Sequence, residues 1–179
     1  MKTILKEIFN TSLYLLVVLI ACYLLVQYVG QRTEVIGKSM EATLSDGDNL
    51  WVDKISYRFE EPKRYDIIVF PYRYDEEIYY IKRIIGMPGE RIRIDLDGNI
   101  YINGTLLEES YGSEVIMDPG MAEEEILLGA DEYFVLGDNR NNSSDSRDEG
   151  VGNIKRENIL GKAFVRIWPL SKIKILDHQ

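Results

Sequence analysis

Residues 78–90 read Ile78-Tyr79-Tyr80-Ile81-Lys82-Arg83-Ile84-Ile85-Gly86-Met87-Pro88-Gly89-Glu90. The first eight are β-branched or aromatic except for two adjacent cations, and a Gly-Met-Pro-Gly turn closes the run, so the stretch predicts a β-strand over Ile78–Ile85. Period-two alternation puts Lys82 on one face with Ile78, Tyr80 and Ile84, and Arg83 on the other with Tyr79, Ile81 and Ile85. Both faces are largely apolar, so the strand is expected to be covered on both sides. A lysine amine desolvated in such a place has its charged form disfavoured, which is how lysine becomes a general base near neutral pH. Arginine never gives up its proton and cannot take that part. Taken alone, the lysine is equally readable as one that snorkels to the sheet edge.

The same texture extends on either side. Further strands are expected at Asn49–Lys54, Ile67–Pro71, Arg91–Asp95, Asn99–Ile102, Tyr133–Leu136 and Lys162–Trp168, separated by Gly, Pro, Asp and Asn, which reads as an antiparallel all-β domain. Asp97-Gly98 and Asn103-Gly104 are dipeptides that two-residue hairpin turns prefer, because both central positions need positive φ. They make Arg91–Leu107 a small meander inserted in the main sheet. Residues 108–131 are Glu-rich and carry Pro119-Gly120, and read as a mobile loop or the edge of that smaller subdomain.

Before the β region no charged residue occurs between Glu7 and Arg32. As a helix, positions 8–31 would span roughly 36 Å, enough to cross a hydrocarbon core of about 30 Å. Tyr14, Tyr23 and Tyr28 add aromatic character, with Tyr28 placed for the outer interface. A cleavable secretory signal would have a shorter apolar stretch and a small-x-small site. Leu19-Ile20-Ala21-Cys22 has the look of a lipidation box, but Tyr23-Leu24-Leu25-Val26 continues the apolar run beyond it. The expected organisation is therefore a short cytoplasmic tail at 1–7, a transmembrane helix at 8–31 and an extracytoplasmic β-domain at 32–179, with its insert at about 91–131. Lysines and arginines are nearly balanced across the span, so the sequence only leans towards this orientation.

Composition narrows the chemistry. The 179 residues suffice for one compact domain plus an appendage. One cysteine, Cys22 in the apolar run, and one histidine, His178 beside the C-terminus, exclude disulfide frameworks, zinc fingers and sites needing two histidines. A Ser-His-Asp triad would have to rest on the chain end, so a hydrolase built on this chain is expected to use another base. The net charge of −9 divides into a slightly basic N-terminal segment and a domain of −10, which argues against nucleic-acid binding.

Two further stretches offer functional groups. Gly37-Lys38-Ser39-Met40 places a serine on a short segment between anchor and sheet; by itself it is also an ordinary turn serine. Gly137-Asp138-Asn139-Arg140-Asn141-Asn142-Ser143-Ser144-Asp145-Ser146-Arg147 offers hydroxyls, carboxylates and guanidinium groups that could orient a nearby ammonium. The alternation of Asn139, Asn141, Ser143 and Asp145 is also that of a calcium loop, without its central glycine and terminal glutamate.

In this order the stretches resemble the type I signal peptidases, membrane-anchored serine endopeptidases that remove signal peptides from exported proteins. The likeness covers nearly the whole chain: anchor, Gly37 to Met40 with Thr43-Leu44 and Gly47-Asp48, Lys82-Arg83 leading into Gly86-Met87-Pro88-Gly89, Gly137 to Arg147, and Gly161-Lys162-Ala163 with Ile167-Trp168-Pro169. The single span and small insert resemble the shorter Gram-positive form. The resemblance implies a mainly β fold, an antiparallel sheet or partly closed barrel behind one transmembrane helix. It implies Ser39 as nucleophile and Lys82 as the neutral base of an acyl-enzyme mechanism, with no cofactor and no metal. Ser143 is implied to orient the lysine, Asp145 and Arg147 to position their loop, and Val35, Ile36, Met40, Leu44, Tyr80 and Ile81 to line a groove that selects small residues in an Ala-x-Ala pattern. The backbone N–H of Ser39 would hold the oxyanion with one more donor. Gly37 stands where some members carry a serine donor, and Ala42 where proline is common. Implied partners are preprotein signal peptides, the lipid bilayer of the plasma membrane and the secretion translocon. Two other readings stay open at this stage. One is a self-cleaving regulator of related fold, for which neither a cleavage site nor a DNA-binding segment is visible. The other is an anchored extracytoplasmic β-domain that binds a partner or metal without catalysis.

Overall fold

The computed structural model describes residues 2–176, with side chains from residue 4 onward; His178 lies outside the described residues. Among the described residues a single α-helix, α1, runs Lys2–Tyr28. Its stretch Ile4–Tyr28 is long and apolar enough to cross a membrane, and its most hydrophobic part is not buried against the rest of the chain. The helix continues through Cys22 to Tyr28, but stops before the end of the uncharged span 8–31, because Gly30 and Gln31 already belong to a strand.

Twelve strands follow: β1 (Gly30–Glu34), β2 (Asn49–Asp53), β3 (Ile67–Tyr72), β4 (Asp75–Gly86), β5 (Arg91–Ile94), β6 (Ile100–Ile102), β7 (Thr105–Leu106), β8 (Ile126–Leu127), β9 (Glu132–Leu136), β10 (Ile154–Lys155), β11 (Gly161–Trp168) and β12 (Lys174–Ile175). The larger sheet has the order β1-β2-β11-β3-β4-β9-β10, with β12 added to β11; the smaller has the order β7-β6-β5-β8. All pairings are antiparallel. The protein is thus mainly β with one N-terminal apolar helix.

Alternation along β3 decides the layering. Ile67 and Val69 enter a core with Val35, Met40, Leu44 and Leu50, while Ile68 and Phe70 enter another with Ile84, Tyr133 and Val135. The smaller sheet closes over a third core built from Ile85, Ile92, Ile94 and Phe134. Ile116, Ala122 and Leu128 are buried in it, so much of the Glu-rich segment is the packed edge of the subdomain.

The expected hairpin turns differ from each other. Asn103 and Gly104 both have positive φ, as a tight two-residue turn requires, whereas at Asp97-Gly98 only the glycine does. There Asp95 N–H donates to Asn99 O and Gly98 N–H to Asp95 O, making a three-residue loop that needs one left-handed position.

Strand β4 is longer than its apolar core. β4 is exposed from Asp75 to Tyr79 and buried from Ile81 to Gly86, so the expectation of cover on both faces holds only for its inner half. The reason is pairing: β3 lies beside β4 from Asp75 to Arg83, but β9 joins the other edge only at Arg83–Gly86. The outer half of β4 keeps one edge open. β1 has the same property, being paired only with β2. The junction with the helix is short: Val29 N–H donates to Leu25 O, and Val29 O accepts from Lys54 N–H. Arg58 covers the ring of Tyr28, 5.0 Å from its centroid.

Candidate active site

The two open edges face each other across a groove of about 610 Å³, walled by residues 33–40 on one side and 77–82 on the other, with Asn142 and Ser144 beside them. Lys82 lies on its floor where β4 becomes covered. Its ammonium donates to Ser39 Oγ at 2.8 Å and to Ile81 O at 3.0 Å, and sits 5.1 Å from the centroid of the Tyr80 ring. Only 4% of the residue is exposed. Burial in this apolar strand drives the Lys82 pKa down to about 8, against the opposing pull of the Asp145 and Asp138 carboxylates.

Ser39 is held by its surroundings rather than by its own strand. The turn 38–44 is closed by Thr43 N–H and Leu44 N–H donating to Met40 O. Asn139 grips it twice, its N–H donating to Ser39 O at 3.0 Å and its Nδ2 to Lys38 O at 3.1 Å. Thr43 Oγ1 donates to Asp138 Oδ2 at 2.5 Å. Asp138 is in turn paired bidentately with the buried Arg83, through Nε at 2.8 Å and Nη2 at 2.6 Å. Tyr111 stacks on that guanidinium, 3.8 Å from its ring centroid. The result is a satisfied polar network behind the serine, and Asp138, Arg83, Thr43 and Asn139 are site residues that sequence reasoning missed. For Asp138, Asn139 and Thr43 the only signal was polarity within a loop, which is equally the signature of a solvated surface, and Arg83 stood out only as a cation within an apolar strand.

The expected site residues distribute as follows. Val35, Ile36, Met40, Tyr80 and Ile81 line the groove together with Ser39 and Lys82. Leu44 does not: it is fully buried in the core under the turn, clustered with Val35, Leu50 and Val52. Asp145 and Arg147 form a bidentate pair, and Asp145 Oδ2 also accepts from Gly137 N–H at 3.0 Å. Arg147 donates on to Arg140 O and Asp118 O, tying loop and insert together.

Ser143 departs from its expected contact. Its Oγ is buried without a hydrogen-bond partner and does not reach Lys82, whose polar contacts are Ser39 and Ile81. It packs instead against Gly137, where a side chain would meet it, beside a small cavity it shares with Arg140 and Asn141. The side chains of the loop also diverge: Asn141 accepts from Met117 N–H through Oδ1 and donates through Nδ2 to Glu114 and Val115 O, Asn139 donates to Lys38 O, and Asp145 accepts from Arg147, so they make no calcium loop among the described residues.

A serine hydroxyl bonded to a buried amine of lowered pKa, on the floor of a groove between two open strand edges, is a geometry in which lysine can take a serine's proton without a histidine. Residues 7–168 match the family described as signal peptidase, peptidase S26. A probable signal peptidase I-2 of Synechocystis sp. is 39% identical over 157 residues, which cover 85% of this chain and 69% of that protein. A signal peptidase I of Leptolyngbya laminosa is 39% identical over 82% of this chain and 72% of its own length. Signal peptidase I P of Bacillus subtilis subsp. natto is 33% identical over 89% of both. The chain belongs to the signal peptidase family, peptidase S26, and is a serine peptidase.

Proposed function

We propose that the chain removes N-terminal signal peptides from exported preproteins, with Ser39 as nucleophile and Lys82 as base. The observation that carries this reading is the 2.8 Å contact between Ser39 Oγ and an amine whose burial favours its neutral form. An extended peptide can add to the open edges of β1 and β4 by main-chain hydrogen bonds, filling the gap in the sheet, while Val35, Met40 and Ile81 leave room for small side chains.

In the acylation step the neutral Lys82 Nζ takes the proton of the Ser39 hydroxyl as Oγ bonds to the scissile carbonyl carbon. The Ser39 backbone N–H, which donates to no group among the described residues, is free to bind the developing oxyanion. Lys82 then passes its proton to the leaving amine as the C–N bond breaks, giving a Ser39 ester. Water adds to that ester with Lys82 again taking the proton, and Ser39 recovers it when the acid leaves. Gly137 N–H and Arg147 fix Asp145 beside this centre, and Asp145 and Arg147 thereby position the loop.

We further infer that residues 1–7 are a cytoplasmic tail, that the helix crosses the plasma membrane, and that the domain 32–179 works outside it, meeting preproteins as they leave the translocon. The test is cleavage of a preprotein by the full chain in detergent. Ser39→Ala and Lys82→Ala should each abolish it without unfolding the domain, and wild-type protein quenched early should carry an acyl adduct on Ser39. Activity retained in either variant refutes the pairing.

A further inference from the structure

The groove is mostly apolar and aromatic, but three charged side chains besides Lys82 stand along it: Glu34 on the β1 rim, Glu77 on the β4 rim, and Lys38 beside the nucleophile. None of the three has an ion pair, and none of their side chains makes a hydrogen bond within the described residues. This differs from the charges nearby, where Arg32 is bonded to Asn49 and Arg166 to Asp48. The charges are also sorted. Glu34 lies five residues before Ser39 at the end of β1 and Glu77 five before Lys82 on β4, while Lys38 adjoins Ser39 in the chain.

The geometry points to a substrate preference by charge: we infer that the groove favours signal peptides with a basic residue four or five positions before the scissile bond and an acidic residue just after it. This rests on the reading of the chain as a signal peptidase. The part of the substrate that becomes the acyl group must lie along the groove, which extends from Ser39 and Lys82 only towards residues 33–37 and 77–81. Glu77 precedes Lys82 by five residues on a continuous strand, a distance of about 17 Å that an extended peptide covers with about five residues. A cation there meets two unpaired carboxylates on opposite rims. Lys38 is the chain neighbour of Ser39, so an acidic residue that begins the leaving half gains from its charge and a basic one is repelled. The small-residue pockets do not supply this selectivity, because they read shape and these groups read charge.

The contacts are solvent-exposed, so each is worth little singly, and the pair of glutamates should give about a three- to tenfold preference at low salt. The experiment measures kcat/KM of the full chain in non-ionic detergent on peptides identical except for Lys, Gln or Glu at the fifth position before the bond. The expected order is Lys, then Gln, then Glu. The spread should collapse in Glu34→Gln/Glu77→Gln and shrink as sodium chloride is raised from about 10 mM to about 500 mM, where screening is nearly complete over this span. A second set with Glu, Gln or Lys after the bond should rank in that order, and lose the ranking in Lys38→Gln. Equal rates across either set, or a ranking that survives its variant, overturn the inference while leaving the peptidase reading intact. Failure to cut any peptide overturns both.

Discussion

Gly137 offers the sharpest test of how the nucleophile is held. A Cβ built on it would lie 2.2 Å from Ser143 Oγ, 2.5 Å from Ser39 O and 2.6 Å from Ser143 Cβ, where ordinary contact begins near 3.4 Å. Ser143 can turn away, but the Ser39 carbonyl cannot, since it is bonded to Asn139 N–H two residues along the same loop. In a close-packed site Gly137→Ala must therefore push the turn carrying Ser39 by about 0.5–1 Å. A displacement of that size between nucleophile and base is expected to lower kcat/KM by about 10²-fold. The overpacking itself should cost about 1–3 kcal/mol, a fall in Tm of about 2–10 °C for a domain of this size. Peptide hydrolysis and thermal unfolding of the full chain in detergent measure the two effects separately. The double variant Gly137→Ala/Ser143→Gly removes both Ser143 atoms from the clash and leaves the contact with Ser39, so activity should stay low. Near wild-type hydrolysis by the single variant, or recovery in the double one, would refute the displacement of Ser39 as the cause.

Three other outcomes follow from the same network. Because Lys82 must be neutral to act and titrates near pH 8, kcat/KM should rise about tenfold between pH 7 and pH 9 and then level; a midpoint near the ordinary lysine value, 10.5, would contradict the role of burial. Lys82→Met should be inactive yet more stable than the parent at pH 7, by up to about 3 kcal/mol. The sign follows from the depressed folded pKa: the unfolded chain binds the proton between about 8 and 10.5 and the folded one does not, so the parent gains stability through that window and the variant's advantage in urea unfolding should shrink at pH 10. Asp138→Asn leaves the buried Arg83 uncompensated and should cost about 3–5 kcal/mol, read as a lowered Tm, with Ser39 reactivity falling alongside.

The seven strands read from apolar runs are all present, because Val, Ile and aromatic side chains at period two have no better use than a sheet. What the sequence hid was made of other material. β1 reads Gly-Gln-Arg-Thr-Glu, with no apolar repeat, and is a strand because β2 and the helix junction hold it there. β7, β8, β10 and β12 are two residues each, too short for any period to show. In the site, the meeting of Ser39 and Lys82 was legible because the order of motifs carried it. Arg83 and Asp138 were not, since a buried ion pair declares itself only when both partners are placed. Leu44 and Ser143 show the limit from the other side: the order of motifs puts a residue in the right loop, but whether its side chain faces the groove, the core or Lys82 depends on backbone torsions that no pattern of residue types reveals.

The junction at Val29 carries a consequence for where substrates are cut. With its N–H in the helix and its carbonyl on Lys54, it leaves no slack between anchor and sheet, and Gly30 packs so closely on Trp51 and Val52 that a side chain would not fit. With the helix in a bilayer, as proposed, Ser39 would stand at a set height above the lipid and the proposed peptidase would act as a ruler: a preprotein threaded through the same bilayer would be cut where its chain reaches that height, with the groove choosing only among the few bonds that arrive there. A flexible insertion of several Gly-Ser residues between Tyr28 and Gly30 should leave peptide hydrolysis in detergent unchanged and scatter the cut sites on membrane-inserted preproteins.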